Sequence, residues 1–583
     1  MNIFAVMGII ALGIFSHRPT KTRRLFQVLV YNAVISGLIA FCLLGVTNGC
    51  GNDRRTSASS AKSGAPRGLP LEPTRFEANG SSRGLGIENG WFVHGQEIVW
   101  GYAQYNGFWG GYREKEGWWA FDKVRTNITR RAPGRVGPTL TEDLNHLTDA
   151  MREFGYPGFE HNFGLWFDRR RDAHDVIRRT DANIASPFLE QPWARSKSGA
   201  AWDGLAKYDL QRFNPWYFAR LREFATLSDQ KGTILLFNFY MQHALLENEA
   251  HYVDFPWRPA NALQDTGMPD RIPAANAFYD VTHPLRRELH RLYIRKCLDE
   301  LGNNTNVVFL LGQEFTGPLS FVQFWLDTIT EWEKQTGKRV LIGLGATKDS
   351  LDAILTDPIR GPSVSVLDLR YWWYLPNGSL HAPAGGREVP GRYALGSARK
   401  TTPEQIYRQI FEYRRAFPQR AIIHTINADR QQTFAFLMGG GSLLVRFLEY
   451  PDSPAPETWR PPNRYIAPEE TRIVQPLYDF INLYLSDRLN KTHPSPELIN
   501  NPERNWCLAH LDHTYVVYAL HGGTLELDLR HASGLFDLRW MNPRTGSVIS
   551  AGSGKVPGGE VVRLDTPDVS DWLLWAESVA DVI

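Results

Sequence analysis

Asn306-Val-Val-Phe-Leu-Leu-Gly-Gln-Glu-Phe-Thr-Gly317 is the segment on which the predicted fold of this chain depends. Its five consecutive apolar residues, 307–311, predict a β-strand that is buried on both faces, as the strands of parallel sheets are. A carboxylate, Glu314, follows shortly after the predicted end of that strand. This order indicates an acid at the carboxyl end of a parallel strand, where α/β proteins have their clefts.

The unit of helix, buried strand and polar exit is repeated on both sides of this segment. Apolar residues at helical spacing predict helices over 140–154, 215–228, 284–301, 319–334, 402–417 and around 434–438. Between them, apolar runs predict strands over 232–240, 307–311, 339–344, 363–369, 420–426 and 442–447. The alternation predicts a (β/α)8 TIM barrel over residues 84–490, with its functional face at the carboxyl ends of the strands.

Residues 101–112, Gly-Tyr-Ala-Gln-Tyr-Asn-Gly-Phe-Trp-Gly-Gly-Tyr, are rich in glycine and aromatic rings, and this composition predicts a loop. Trp109 in that loop, and Trp372 and Trp373 after the strand at 363–369, are candidate platforms on which a flat apolar ligand could stack. Packing into the core is the commoner use of a tryptophan, so that alternative stays open for each ring.

The sequence pattern changes near residue 505. Short apolar or alternating segments, separated by Gly, Asn and Pro turns, predict strands over 514–521, 524–529, 536–541, 561–564 and 572–575. These segments show no helical periodicity. We therefore predict a small all-β module, an antiparallel sandwich, over residues 500–583.

The first 50 residues have the features of an export signal. Lys21, Arg23 and Arg24 precede an apolar run over 25–46, and a small residue, Gly49, stands before Cys50. The Gly-Cys step resembles the lipobox of bacterial lipoproteins, which implies a lipid on Cys50; a plain signal peptide and an uncleaved anchor are the alternatives. We expect an exported protein, either a cell-envelope lipoprotein held to the membrane by its lipid or a periplasmic or extracellular protein, with a flexible linker over 51–83.

Composition excludes one class of partner. The formal net charge is +2, from 64 basic and 62 acidic side chains, so the chain lacks the basic field that nucleic-acid binding requires. The sequence contains no His-Glu-x-x-His, and we predict no metal site and no cofactor. Cys297 lies on the apolar stripe of a predicted helix and is expected to be a buried thiol; a disulfide with Cys507 would require an oxidising compartment and stays open.

Two segments carry a resemblance to known families. Residues 307–314, Val-Val-Phe-Leu-Leu-Gly-Gln-Glu, resemble the strand-then-Glu signature of the (β/α)8 glycoside hydrolase clan that places an acid/base Glu after strand four, and the apiosidase-like branch looks closest. Residues 538–546, Leu-Arg-Trp-Met-Asn-Pro-Arg-Thr-Gly, with 571–574, Asp-Trp-Leu-Leu, resemble the β-sandwich module labelled a collagen-binding domain of collagenases, which often follows apiosidase-like barrels. The resemblance implies a glycosidase that acts on a plant or algal type of polysaccharide or oligosaccharide.

Hydrolysis of a glycosidic bond requires an acid for the leaving oxygen and a second carboxylate that attacks the sugar or activates water. Glu314 is the candidate general acid, because desolvation in a ring-lined cleft would raise its pKa; a structural ion pair is the alternative. Retaining members of the clan carry a nucleophilic Glu at the end of strand seven, and residues 421–427 contain none. Asp368 and then Asp429 are the candidates for the second carboxylate, unless the site inverts or is inactive.

Polar residues near other predicted strand ends are candidates for binding sugar hydroxyls. For each histidine a structural role is an equal alternative, and Asp368 could simply pair with Arg370. The missing Glu also keeps a second function open, a carbohydrate-binding surface lipoprotein whose barrel no longer hydrolyses. The candidate substrate-binding residues, besides the three tryptophans, are Glu160, His161, His243, Arg370 and His424.

Overall fold

Eight parallel strands close into a barrel in the computed structural model of the protein. The structure describes residues 63–66, 76–77, 84–105, 112–113, 124–125, 144–153, 155–162, 172–173, 176–177, 191–202, 204–247, 249–253, 255–313, 315–388, 401–425, 429–446 and 474–579. The predicted signal over 1–50 with Cys50, Trp109 and Glu314 all lie outside these residues.

The barrel strands follow one another around the barrel in chain order, and strand eight pairs with strand one. The predicted TIM barrel is therefore confirmed, with the segment before Glu314 as strand four. Strands one to eight are Tyr102–Tyr105, Gly158–Asn162, Ile234–Met241, Val307–Gln313, Leu341–Gly345, Val364–Asp368, Ala421–His424 and Leu443–Arg446.

The prediction of a loop over the whole of 101–112 was wrong, because strand one is Tyr102–Tyr105. This strand pairs with Leu443–Arg446 on one side and Gly158–Asn162 on the other. The backbone N–H of Tyr102 also donates to the hydroxyl of Tyr478, 2.5 Å away. These partners are distant in sequence, and the glycines around the short strand hide its periodicity, so tertiary pairing decides its conformation.

Helices surround the barrel, and the bounds of Pro284–Leu301, Leu319–Thr336 and Pro403–Ala416 lie within two residues of the predicted ones. The helices Lys348–Leu355 and Gln475–Phe480 were not predicted. Pro284–Leu301 begins with Pro284 in its first turn, and Nδ1 of His283 accepts from the N–H of Arg286. Its predicted apolar stripe, including Cys297, is buried. The other helices are Leu144–Glu153, Pro215–Gln230, Leu319–Thr336, Lys348–Leu355, Pro403–Ala416, Arg430–Met438 and Gln475–Phe480, which continues as a π-helical turn over Ile481–Leu485.

A hairpin closes the amino-terminal end of the barrel. Its strands, Leu85–Glu88 and Trp91–His94, lie in a small antiparallel sheet with Phe76–Glu77 and Glu97–Ile98. Leu85, Ile87 and Phe92 pack against barrel residues at the beginnings of strands, such as Ile234 and Ala421. A core of aliphatic side chains therefore fills the barrel from below and leaves its carboxyl end for polar groups.

Several short elements lie outside the barrel. The segment after strand three carries three helical turns, His243–Leu246, Glu249–Tyr252 and Ala275–Phe278. Antiparallel strand pairs are Tyr112–Arg113 with Val124–Arg125, Asp172–Ala173 with Val176–Ile177, Trp193–Arg195 with Tyr208–Phe213, and Trp373–Tyr374 with Leu380–His381. Short 3-10 helices are Gly361–Ser363, Leu489–Lys491 and Pro496–Leu498.

The C-terminal module is the predicted antiparallel β-structure. One sheet has the strand order His493–Pro494, Asn505–His510, Thr514–Ala519, Trp572–Val579, Leu535–Met541 and Val548–Pro557. The second sheet pairs Thr524–Asp528 with Val561–Asp565, and a separate apolar core lies between the two sheets. Val548–Pro557 was not predicted, since its Gly- and Ser-rich sequence is mostly exposed and shows little apolar alternation.

The larger sheet packs its other face on the barrel helices. Trp506 stacks on Tyr407 at 4.7 Å between ring centroids, and Tyr518 stacks on Phe434 at 4.6 Å. The buried carboxylate of Asp571 accepts from Arg430 of the barrel at 2.8 and 3.1 Å. The barrel-facing side of this sheet thus belongs to the same apolar core as the barrel helices.

The two described cysteines, Cys297 and Cys507, are buried free thiols, so they do not form a disulfide. Among the described helices, none combines the length and the apolar run needed to cross a bilayer.

Candidate functional site

Arg370 is held between two carboxylates at the carboxyl end of the barrel. Its Nε and Nη2 donate to Asp368 at 2.7 and 2.5 Å, and its Nη1 and Nη2 donate to Glu160 at 2.7 Å each. Exposure is 4% for Arg370, 1% for Asp368 and 0% for Glu160. The result is a desolvated, charge-assisted cluster that combines residues 210 positions apart in the chain.

The strands place these groups by their two-residue alternation. Glu160 lies in strand two between Phe159 and His161, and both of those rings pack outward on Phe224 of the helix behind, at 5.4 and 6.1 Å. The Glu160 carboxylate therefore lies on the opposite side, in the barrel. Asp368 is the last residue of strand six, and Arg370 follows two residues later.

Asn238 of strand three completes the described cluster. Its Nδ2 donates to Oε1 of Glu160 at 3.0 Å, and the side chain is fully buried. A carboxylate can only accept, so this bond fixes the orientation of the amide and leaves Oδ1 as an acceptor. Among the described residues Oδ1 has no hydrogen-bond partner.

The cluster contains two acids for one base. Burial raises the pKa of Asp368, Arg370 opposes the rise, and the negative charge of Glu160 adds to it. Burial alone would lower the pKa of Arg370, but the charges of Asp368 and Glu160 outweigh it and raise that pKa well above its ordinary value. The guanidinium stays charged, and burial, with a smaller contribution from the extra carboxylate, makes Asp368 easier to protonate than an exposed aspartate.

The segment that carries Glu314 is anchored on both sides. Strand four ends at Gln313, and Phe315 is buried against Tyr279 at 5.0 Å between ring centroids. Nε2 of Gln242 donates to Oγ1 of Thr316 at 2.6 Å, and the N–H of Thr316 donates back to Oε1 of Gln242 at 3.1 Å. Glu314 itself lies outside the described residues.

The loop after strand six also binds at Thr316. The N–H of Gly386 donates to the carbonyls of Thr316 and Gly317 at 2.9 and 3.0 Å, and Oγ1 of Thr316 donates to the carbonyl of Arg387 at 3.2 Å. The exits of strands three, four and six are therefore tied together at a single buried threonine.

The three predicted histidines lie in different places. His161 faces the helix layer outside the barrel, and burial lowers its pKa well below the ordinary value. His424, the last residue of strand seven, is buried, and desolvation followed by the charge of Arg370 lowers its pKa to about 3. His243 begins the short helix His243–Leu246, and its side chain is not described.

Trp372 and Trp373 are buried and do not stand on an open surface. Trp372 packs on Tyr413 at 5.1 Å, and Trp373 stacks on His381 at 4.4 Å. Their indole Nε1 atoms have no partner among the described residues. Both rings support the exit of strand six, the alternative of core packing that the sequence left open.

Asp429 is not a member of the cluster. It is the exposed residue that precedes the helix Arg430–Met438. Its Oδ1 accepts from the N–H of Gln432 at 2.9 Å, a helix N-cap. The sequence also missed Asn238 and Gln242 as members of the site. A polar residue inside the apolar run 232–240 was the available signal for Asn238, since buried amides require partners.

The described part of the chain contains no group of three or more His, Cys, Asp or Glu side chains arranged to hold a metal ion. The cluster itself consists of two carboxylates, a guanidinium and an amide.

Residues 55–450 match the family described as "Domain of unknown function (DUF6298)". No curated protein matches the chain. Among solved structures, one described as "Glycoside hydrolase" is similar at 11% identity and a TM-score of 0.48, over 87% of this chain and 99% of that one.

Two further solved structures show the same kind of similarity. A glycoside hydrolase family 5 protein from Bacteroides vulgatus ATCC 8482 is 10% identical, with a TM-score of 0.49, over 86% of this chain and 95% of that one. An alpha-amylase from Geobacillus thermoleovorans, in complex with acarbose, is 8% identical, with a TM-score of 0.42, over 83% of this chain and 98% of that one. The fold assignment itself depends on the strand pairing described above.

Proposed function

This chain belongs to the DUF6298 family, and we propose that it is an exported glycoside hydrolase in which Glu314 and Asp368 are the two catalytic carboxylates. Its substrate is a plant or algal type of polysaccharide or oligosaccharide, and its barrel is of the apiosidase-like kind, followed by a module of the type labelled collagen-binding. These finer assignments rest on the resemblance of residues 307–314 and 538–546.

One observation carries the proposal. Two buried carboxylates, Asp368 and Glu160, meet at a single guanidinium at the carboxyl end of a TIM barrel, the end at which enzymes of this fold have their active sites. Strand four ends at that face, directly before Glu314. These observations support a carboxylate from this end of the barrel as the partner that we propose for Glu314.

The role of Glu314 rests on the resemblance of residues 307–314, and the role of Asp368 on its contacts. In this scheme Glu314 is the general acid that protonates the leaving oxygen. Asp368 is the second carboxylate, because it ends strand six, and Arg370 stabilises its ionised form through two charge-assisted bonds. Glu160 accepts from Asn238 and holds Arg370 in place. Asp429 is a helix cap in this scheme and takes no part in the chemistry.

The test compares two aspartates. Asp368→Asn keeps the shape of the side chain and removes its charge, and we expect the rate of reducing-end release to fall about 100-fold or more. Asp429→Asn makes the same chemical change at the exposed helix cap, where asparagine also caps well, and should retain wild-type activity. Equal rates for Asp368→Asn and the wild type would remove Asp368 from the chemistry.

A second candidate function is a carbohydrate-binding lipoprotein without turnover. Two observations favour it. Arg370 donates to the carboxylates of both Asp368 and Glu160, and strand seven ends in His424 and not in an acid. Retention of the protein on affinity gels that contain polysaccharides, without release of new reducing ends from any of them, would favour this function.

Attachment to the membrane through Cys50 forms part of the proposal. Its support is the order of basic residues, apolar run and Gly-Cys step in residues 21–50. Expression of the full chain with Cys50→Ser should move the protein from the membrane fraction to the soluble fraction, whereas an uncleaved anchor would leave it in the membrane.

A further inference from the structure

Residues 63–66, Ser-Gly-Ala-Pro, lie against the flank of the barrel although they belong to the predicted linker. The N–H of Gly64 donates to the hydroxyl of Tyr374 at 2.8 Å, and its carbonyl accepts from Nζ of Lys348 at 2.5 Å. Ala65 packs on the main apolar core. The segment therefore contributes both backbone bonds and apolar contact.

The surface that receives this segment is built from two helices and the exit of strand six. Lys348 is 1% exposed, and its ammonium also binds Asp352 at 2.5 Å and the hydroxyl of Tyr413 at 3.2 Å. The hydroxyl of Tyr374 donates in turn to Glu412 at 2.7 Å. We call Lys348, Tyr374, Glu412 and Tyr413 the Lys348 slot.

The Lys348 slot is incomplete without its occupant. An ammonium has three protons, the Lys348 side chain is almost fully buried, and the carbonyl of Gly64 is one of the three oxygen partners of its Nζ. The slot also contacts the candidate site: Nζ of Lys348 lies 5.1 Å from the ring centroid of Trp372, two residues after Arg370.

We propose that residues 63–66 are a docking segment for the Lys348 slot, and that their binding shields Lys348 and supports the exit of strand six. The partner that fits this surface is a short backbone turn of this chain, recognised through one N–H and one carbonyl. The proposal does not depend on the glycosidase assignment. Residues 63–66 of the N-terminal region are, on this proposal, a structural part of the barrel.

Gly64 offers a clean way to release the segment. Its φ is +85°, and no atom lies within 4 Å of the place a Cβ would occupy, so a side chain there meets only the backbone constraint. Gly95, in a hairpin turn, has φ +66° and the same open surroundings. Gly64→Val and Gly95→Val therefore both place a β-branched side chain at a positive φ, and only the first affects the segment.

The experiment measures acetylation of Lys348 by an N-hydroxysuccinimide ester in the full chain, quantified by mass spectrometry against the exposed Lys334. We expect Gly64→Val to raise the relative labelling of Lys348 at least fivefold and Gly95→Val to leave it unchanged. Tyr374→Phe, which removes the acceptor of the Gly64 N–H, should raise it as well. Circular dichroism and thermal unfolding identify any variant that fails to fold.

Adding the segment back as a peptide distinguishes the loss of docking from a general loosening of the barrel. A synthetic peptide with the sequence of residues 59–70, added to Gly64→Val, should restore protection of Lys348, and a scrambled peptide should not. Unchanged labelling of Lys348 in both folded variants, or equal labelling in Gly95→Val and Gly64→Val, would overturn the proposal.

Discussion

Replacing Arg370 by methionine should be among the most damaging single changes in the barrel. The guanidinium makes four side-chain bonds of 2.5 to 2.7 Å to two carboxylates, and all three side chains are at most 4% exposed. Arg370→Met leaves Asp368 and Glu160 buried together without a counter-charge. Removing one member of a buried ion pair costs about 3–5 kcal/mol, and we expect the free energy of unfolding to fall by that amount at pH 7.

The loss should depend on pH in a defined direction. Without Arg370, burial and the nearby charge of Glu160 hold the folded-state pKa of Asp368 above its unfolded value of about 3.9. Folding then takes up a proton, so the variant loses stability as pH rises above the unfolded pKa and regains it as pH falls. The slope reaches about 1.4 kcal/mol per pH unit for each proton taken up.

Urea unfolding followed by tryptophan fluorescence, at several pH values between 5 and 8, measures this effect, and Arg360 provides the matched control. Arg360 also binds two aspartates, Asp327 at 2.8 and 2.9 Å and Asp357 at 2.9 Å, but the side chains of Arg360 and Asp327 are 25% and 53% exposed, so water screens this group. Arg360→Met should cost about 0–1 kcal/mol. A loss of similar size for both variants, or no pH dependence for Arg370→Met, would refute the buried-cluster argument.

Three further changes test other parts of the structure. Thr316→Val removes the hydroxyl that joins three strand exits and should lower kcat about tenfold or more with little change in KM. Thr316→Ser keeps the hydrogen bonds and should retain activity. Equal rates for the two variants would show that these hydrogen bonds are not needed. Asp571→Asn weakens the buried contact of the C-terminal module with Arg430, and it should reduce the free energy of unfolding measured with urea by about 3 kcal/mol. Asp568→Asn makes the same change at a nearby exposed residue and should have little effect on that free energy. The pKa of His424 is lowered to about 3 in the folded state, so the unfolded chain binds a proton first as pH drops, and the free energy of unfolding should fall between about pH 6.5 and 3. His424→Gln should flatten that part of the curve of stability against pH. An unchanged curve would contradict the assignment of a neutral buried ring.

The sequence predicts those parts of the fold that local periodicity determines. Strand four and the helix Pro284–Leu301 are predicted to within a few residues, because apolar spacing and a proline in the first turn act locally. Strand one and Val548–Pro557 are not, because glycine-rich segments become strands only through partners elsewhere in the chain. The same limit applies to the C-terminal sheet order, which local pattern does not encode.

The candidate site divides in the same way. The pairing of Asp368 with Arg370 follows from their adjacency, and the sequence offered it as an alternative. The bond of Arg370 to Glu160 joins strands two and six, and no spacing rule connects two residues that meet only when the barrel closes. Asn238 and Gln242 are single polar residues in or after an apolar strand, and their partners become visible only in three dimensions.

The measurement that tests the central claim most directly is the release of reducing ends by the wild type and by Glu314→Gln across a panel of plant and algal polysaccharides. We expect the wild type to cleave at least one of them, and we expect Glu314→Gln, with unchanged thermal stability, to cleave it about 100-fold or more slowly. A folded Glu314→Gln variant that cleaves the same polysaccharide at the wild-type rate would contradict it.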